Sequence, residues 1–227
     1  MTSTTPIPTS SPCLRIRLVT LNVRYAAKDP SPGEEPWPIR SPKLCAQLRL
    51  ITSGHGSPFV CLQEGLYSQL VDIQARLGPS WGHIGQGRDD GKQAGEFSPI
   101  FFRVDQWDCE RHRTLWLSKT LDVPSRGWDA ALNRIVTLAQ EQSAHLLLEI
   151  SRTWTEATTI GFRTPVFLGG DFNSTPSDRA YKVLTSSADS PMTDVSKLVP
   201  EDRQYGITYT SFGEPDEEPK RIDFLFV

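Results

Sequence analysis

Pro165-Val166-Phe167-Leu168-Gly169-Gly170-Asp171-Phe172-Asn173-Ser174-Thr175-Pro176 joins a short apolar run, two glycines, an acid and an amide two residues apart, and a turn able to open a helix. The apolar run reads as a buried strand, and the glycines let its backbone come close to a neighbour. A polar group at the carboxyl end of that strand is the expectation. Other apolar runs carry or finish at an amide or an acid: Arg17 to Asn22, Phe59 to Glu64, and Ile222 to Val227 around Asp223, with Pro99 to Arg103 more weakly marked. If these strands share a sheet, their oxygen-bearing side chains gather at one rim.

The chain has 227 residues, enough for one domain with a substantial core and few for two. With 37% apolar and 22% charged residues the composition is that of a globular protein. A formal charge of -3 disfavours extended contact with nucleic acid or acidic lipid. A phosphate-bearing substrate remains compatible, because a bound divalent cation brings positive charge that a residue count does not include. Cys13, Cys45, Cys61 and Cys109 lack paired spacing and do not form a zinc motif; buried thiols are the expectation, although four cysteines permit two disulfides. Residues 1–13, rich in Ser, Thr and Pro, are expected to form a disordered tail without the apolar centre of a secretory signal. No membrane-spanning run is visible, and a cytoplasmic location is the corresponding expectation.

Along the chain, Leu14 to Asn22 alternates as a strand, and Ala26 to Pro42 is a long proline-bearing loop around Trp37. Ser41-Pro42 then opens a helix through Ile51. Phe59 to Gln63 is a second strand, and Leu66, Leu70, Ile73 and Leu77 mark a helix stopped by Gly78. Two strands, each followed by a helix, make the beginning α/β. Gly85 to Gly95 reads as a mobile loop, followed by antiparallel strands at Ser98 to Val104 and Arg113 to Leu117, and another strand at Asn133 to Ala139. A helix is expected from Gln140, with a stripe through Ala144, Leu147, Ile150, Trp154 and Ala157. A helix follows Pro176, Gly206 to Phe212 is expected to be a strand, and Arg221 to Val227 is the final one.

Asn22, Glu64, Asp171, Asn173 and Asp223 thus sit within or at the ends of apolar strands. A carboxylate is expensive to bury unless it is paired or bound to a cation, and several at one rim repel one another. Mg²⁺ or Mn²⁺, which favour oxygen ligands, would relieve that repulsion. Salt bridges and turn caps are the competing reading of the same residues. With an ion at Glu64, the natural chemistry is phosphate-ester hydrolysis: Asp171 orients or deprotonates the attacking water and Asn173 donates to a nonbridging oxygen. None of the histidines, His55, His83, His112 and His145, stands at a strand end beside the acids.

Leu21-Asn22-Val23-Arg24, Leu62-Gln63-Glu64, Gly170-Asp171-Phe172-Asn173 and Arg221-Ile222-Asp223-Phe224 resemble, in that order, the endonuclease/exonuclease/phosphatase superfamily. The stretches Ile84 to Gly91, Phe97 to Phe101 and Ser125 to Asp129 resemble it as well. The resemblance implies a four-layered α/β sandwich of two mixed sheets flanked by helices. It implies Asn22 and Glu64 as metal ligands for Mg²⁺ or Mn²⁺, and Asp171 and Asn173 as the water-orienting and phosphate-contacting pair. Asp223 resembles the acid that orients a catalytic histidine, and Arg113 or Arg126 would help to bind phosphate. Two features of the family pattern are missing: a His-bearing strand between Ala139 and Glu141, and a Ser-Asp-His segment beyond Val227. The expectation is an incomplete domain over residues 14–227. Its family type is a metal-dependent phosphoesterase, impaired or inactive in this chain, and the alternative is a catalytically inactive phosphate- or metal-binding module. The substrate class, whether nucleic acid, inositol phosphate or phospholipid, stays open.

Overall fold

A computed structural model describes residues 15–55, 57–109, 111–128, 130–139, 166–186, 192–204, 206–213 and 216–227. The first strand, β1 (Ile16–Asn22), runs parallel to β2 (Ser57–Gln63), with Asn22 opposite Gln63. The long crossover that parallel strands require is made by helix α1 (Trp37–Thr52). A two-residue strand, β3 (Gly65–Leu66), leads into α2 (Tyr67–Leu77). Then come β4 (Trp81–Ile84), β5 (Glu96–Phe97) and β6 (Ile100–Arg103). The main sheet has the order β1-β2-β6-β4, with β6 antiparallel to both neighbours, so it is mixed. Strands β7 (Arg113–Trp116) and β8 (Ile135–Leu138) form an antiparallel ribbon, as do β9 (Leu168–Asp171) and β10 (Asp223–Phe226), and α3 (Arg179–Ser186) lies between the last two in sequence.

Strand alternation sorts the side chains into layers. Val19, Leu21, Val60 and Leu62 pack against Cys45 and Leu48 of α1 and Leu70 and Ile73 of α2. The alternate positions, Thr20 and Cys61, face Gly169 of β9 on the other side of the sheet. Phe224 and Phe226 point away from that seam into a second core with Tyr181, Leu184 and Met192. The order is therefore helices α1 and α2, main sheet, β9–β10 pair, helix α3, which is the expected layered sandwich. Among the described residues the second sheet is an antiparallel pair. Burial of each large apolar side chain contributes on the order of 1.5–3 kcal/mol. Burial also pushes the Cys61 thiol up to about 11, so it serves as a small apolar group in the seam.

Several expectations change. Helix α1 begins at Trp37 rather than at Ser41, so Pro42 lies inside it. Pro42 sits where the backbone N–H would bond Pro38 C=O, and the helix tolerates the lost bond because its start is pinned: Trp37 Nε1 donates to Asp72 Oδ2 of α2 at 2.8 Å. The strands at Ile100 and Arg113 are not partners; β6 joins the main sheet and β7 pairs with β8. The glycine-rich loop is tied down: Asp90 accepts from Lys92 N and Ala94 N, and Arg88 N donates to Glu96 O. Gly206 to Phe212 is not a strand, because Ser211 and Phe212 take left-handed conformations with φ of 49° and 57° and only Tyr209 bridges to Lys220. The tail of residues 1–13 and the Gln140 helix, with His145, lie outside the described residues. Among the described residues no helix is long and apolar enough to cross a membrane.

The seam tests the layering. A Cβ at Gly169 would stand 2.8 Å from Leu225 Cδ2 and 3.4 Å from Thr20 Cβ. The leucine tip can rotate away and the 3.4 Å approach to Thr20 Cβ is ordinary contact, so Gly169→Ala is expected to be mild. Gly169→Val should destabilise by about 1–3 kcal/mol through overpacking. Gly170→Ala, whose nearest neighbour is Phe172 at 3.8 Å, is the control. Urea denaturation midpoints that fail to rank the Gly169→Val variant lowest would contradict the packing.

Candidate active site

Each acid or amide reaches the same rim because its strand ends there. Asn22 closes β1, Glu64 follows β2 directly, and Asp171 closes β9 with Asp223, the first residue of β10, as its cross-strand partner. The chain leaves these strands through left-handed residues: Arg24 at φ 53°, Glu64 at 59° and Asn173 at 47°. Asn tolerates that region, whereas Arg and Glu do so at a cost of order 1–3 kcal/mol each that the surrounding contacts must offset.

The contacts converge on one amide. Asn22 Nδ2 donates to Glu64 Oε1 at 2.9 Å and to Asp171 Oδ2 at 3.0 Å. Its Oδ1 accepts from Arg24 N at 2.8 Å, which fixes the amide with its nitrogen toward the acids. Asp171 Oδ1 accepts from Asn173 N at 2.8 Å. Glu64 Oε2 is buried without a hydrogen-bond partner, and Arg24 Nη1 lies 3.8 Å away. Arg24 is in turn held by Glu34, whose side chain is only 1% exposed. Behind this, Gln69 Oε1 accepts from Ala26 N and Leu66 N, and its Nε2 donates to Arg24 O, locking the turn after β1 to the start of α2.

Asp223 closes the cluster. Burial pushes its carboxyl up to about 6, and the charges of Asp171 and Glu64 push the same way, against a side-chain hydrogen bond with Thr208. Strand β10 is anchored next door: Arg221 Nη2 and Tyr181 Oη both donate to the fully buried Asp194, at 2.8 and 2.9 Å. A cavity of about 400 Å³ opens beside Asn22 and Asp223, with Thr208, Arg203 and Arg221 in its wall.

The structure thus brings together Asn22, Glu64, Asp171, Asn173 and Asp223. It places Arg113 and Arg126 elsewhere: Arg113 pairs with Asp122 and lines a separate cavity of about 360 Å³, and Arg126 donates to Ala131 O at 3.4 Å. His55 meets Arg17, His83 stacks on Phe101, and His112 lines the same cavity as Arg113. The sequence reading overlooked Arg24, Glu34 and Thr208; the only available signal was the proximity of Arg24 to Asn22.

Among the described residues no three His, Cys, Asp or Glu side chains form a preassembled metal cage. Mg²⁺ usually binds through one or two carboxylates, completing its shell with water and substrate phosphate. The unpartnered Glu64 Oε2 beside a second carboxylate fits that mode of binding.

Comparison with known proteins bears on the family and the fold. The model described as Endonuclease/Exonuclease/phosphatase family matches residues 19–227. Among solved structures, an endonuclease/exonuclease/phosphatase from Bacteroides vulgatus is 30% identical with a TM-score of 0.70, covering 92% of this chain and 85% of that one. A family protein from Bacteroides thetaiotaomicron is 27% identical, with a TM-score of 0.74 and coverage of 92% and 81%. A mannosyl-6-phosphatase from the same organism is 26% identical, with a TM-score of 0.73 and coverage of 92% and 84%. No curated protein matches.

The crowding of acids has a pH signature. Asp223 titrates at about 6 in the folded chain against 3.8 ordinarily, so the folded state holds more protons between those values. Its contribution to stability is therefore complete below about pH 4 and is lost as pH rises through about 6. In urea denaturation with EDTA from about pH 4 to about pH 8, the parent chain should lose stability relative to Asp223→Asn. Parallel profiles would remove the assigned shift.

Proposed function

The chain belongs to the endonuclease/exonuclease/phosphatase family, and we propose that it hydrolyses a small phosphate ester with the help of Mg²⁺ or Mn²⁺. Family type makes it a metal-dependent phosphoesterase. The observation that carries the reading is the Asn22 amide spanning Glu64 and Asp171 beside an unpartnered buried carboxylate oxygen. Glu64 would hold the ion through Oε2; Asn22, expected as a second ligand, has its Oδ1 turned to Arg24 N and its Nδ2 to the acids, and instead keeps the carboxylate aimed. Bound there, a divalent ion supplies charge neutralisation at the phosphoryl oxygens.

The remaining work falls to the chain's own groups. Asp171 is held at both oxygens, by Asn22 and by Asn173 N, so it keeps a fixed direction while its free lone pairs orient a water and take its proton. The Asn173 side chain is exposed on its left-handed turn, available to a nonbridging oxygen. Asp223, protonated part of the time near pH 6, reduces the charge that Asp171 must face. Acid–base assistance among the described residues rests on carboxylates, and slow turnover is part of the proposal. Similarity to a mannosyl-6-phosphatase and the charge of -3 favour a small phosphomonoester over a long nucleic acid.

Calorimetric titration with Mg²⁺ should show affinity at least about 10-fold weaker in Glu64→Gln. Slow hydrolysis of p-nitrophenyl phosphate, exceeding that of bis(p-nitrophenyl) phosphate, should fall about 10²- to 10⁴-fold in Asp171→Asn. Equal Mg²⁺ affinity in parent and Glu64→Gln would overturn the ion assignment. Binding without turnover would make the chain an inactive phosphate- or metal-binding module.

A further inference from the structure

We propose that Arg24 is a second cationic element of the active site, contacting the substrate phosphate through its Nη1 edge beside Glu64. The inference rests on the phosphoesterase reading and adds a residue to it. Glu34 occupies one edge of the guanidinium: Arg24 Nε lies 3.3 and 3.4 Å from its two oxygens, and Nη2 lies 3.4 Å from Oε2. The other edge, at Nη1, has no hydrogen-bond acceptor among the described residues. It stands 3.8 Å from Glu64 Oε2, and the side chain is 30% exposed.

The surroundings hold the group in that pose. Glu34 is itself braced by Ser31 N at 3.1 Å and by Arg40 Nη2 at 3.6 Å, and the guanidinium carbon lies 4.3 Å from the centre of the Tyr25 ring. The Arg24 carbonyl accepts from both Arg40 Nη2 and Gln69 Nε2, at 3.2 and 3.0 Å. A surface arginine serving only solubility needs none of this. A planar donor fork with one edge clamped and the other open toward a carboxylate suits a phosphate oxygen that approaches Glu64. An ordinary salt bridge would bring Nη1 to Glu64 at hydrogen-bond distance. The observed gap of 3.8 Å leaves Nη1 available and Oε2 unpartnered.

Arg24 and a divalent ion would therefore compete for the same carboxylate. Both are positive, so Arg24 weakens binding of the ion while strengthening binding of phosphate. A merely structural arginine would lower both affinities when removed. The test is calorimetry of inorganic phosphate and of Mg²⁺ separately, on the parent chain, Arg24→Gln and Arg24→Lys, with urea midpoints to report folding. Arg24→Gln should bind phosphate about 10- to 100-fold more weakly, the size of one charge-assisted hydrogen bond, while Mg²⁺ binds equally or more tightly. Arg24→Lys should recover part of the phosphate affinity. Unchanged phosphate binding in Arg24→Gln overturns the proposal, and so does parallel loss of phosphate and Mg²⁺ affinity with a lowered midpoint. Phosphate binding that persists in EDTA and needs Arg24, in a chain that ignores Mg²⁺, would keep this assignment and sink the metal-dependent reading. A parent chain that binds neither overturns both.

Discussion

One amide spans the two sheets. Asn22 Nδ2 donates to a carboxylate that follows β2 in the main sheet and to another that closes β9 in the second sheet. An amide nitrogen has two hydrogens, and both are used. Reversing the amide would set Oδ1 against two carboxylates and Nδ2 against Arg24 N, so the backbone of the next turn decides the orientation. The bond to Arg24 N requires the chain to turn sharply after β1, which explains why a non-glycine residue at position 24 accepts a left-handed conformation. Gln69 and Arg40 then hold that turn from behind.

For the amide to reach Asp171, the sheets must come close, and that condition reaches down the strands. The seam positions next to the site are small or short: Thr20, Cys61 and Gly169. Large apolar groups fill the outer faces, with Leu48, Leu62, Leu70 and Ile73 in one core and Leu184, Phe224 and Phe226 in the other, while Leu225 enters the seam against Gly169. The same period of two that buries Val19 and Leu21 against the helices turns Thr20 and Asn22 inward to the seam.

Much of this was legible because it is written in local pattern. Alternation marked β1, the Leu66–Leu77 spacing and Gly78 marked α2, and the acids at strand ends marked the rim. The start of α1 was hidden because its brace, Trp37 to Asp72, joins residues 35 apart in sequence, and proline spacing suggested a later opening. Gly206 to Phe212 had the Thr and Tyr content of a strand, but two left-handed residues forbid it and Thr208 instead caps β10, accepting from Ile222 N and Asp223 N. Arg113 and Arg126 drew notice as residues that would help to bind phosphate, while Arg24, although it ends the Leu21-Asn22-Val23-Arg24 motif, was given no role. Its importance depends on a buried glutamate ten residues away within a loop rich in proline, and composition does not report burial.

The site also works against the fold that carries it. Asp171 and Asp223 are direct cross-strand partners, an arrangement that β-sheets disfavour between like charges. Simply ionising both would strain the pair; instead Asp223 takes up a proton more readily, and Asn22 and Asn173 N neutralise part of the charge on Asp171. Two left-handed non-glycine residues of unfavourable type, Arg24 and Glu64, add their own cost at the same rim. These penalties sit together while the apolar burial that offsets them lies in two separate outer cores. A rim that gathers acids and twisted turns is poor as a structural element, and its presence within a well-packed sandwich is what the proposed site for a cation and a phosphate would require.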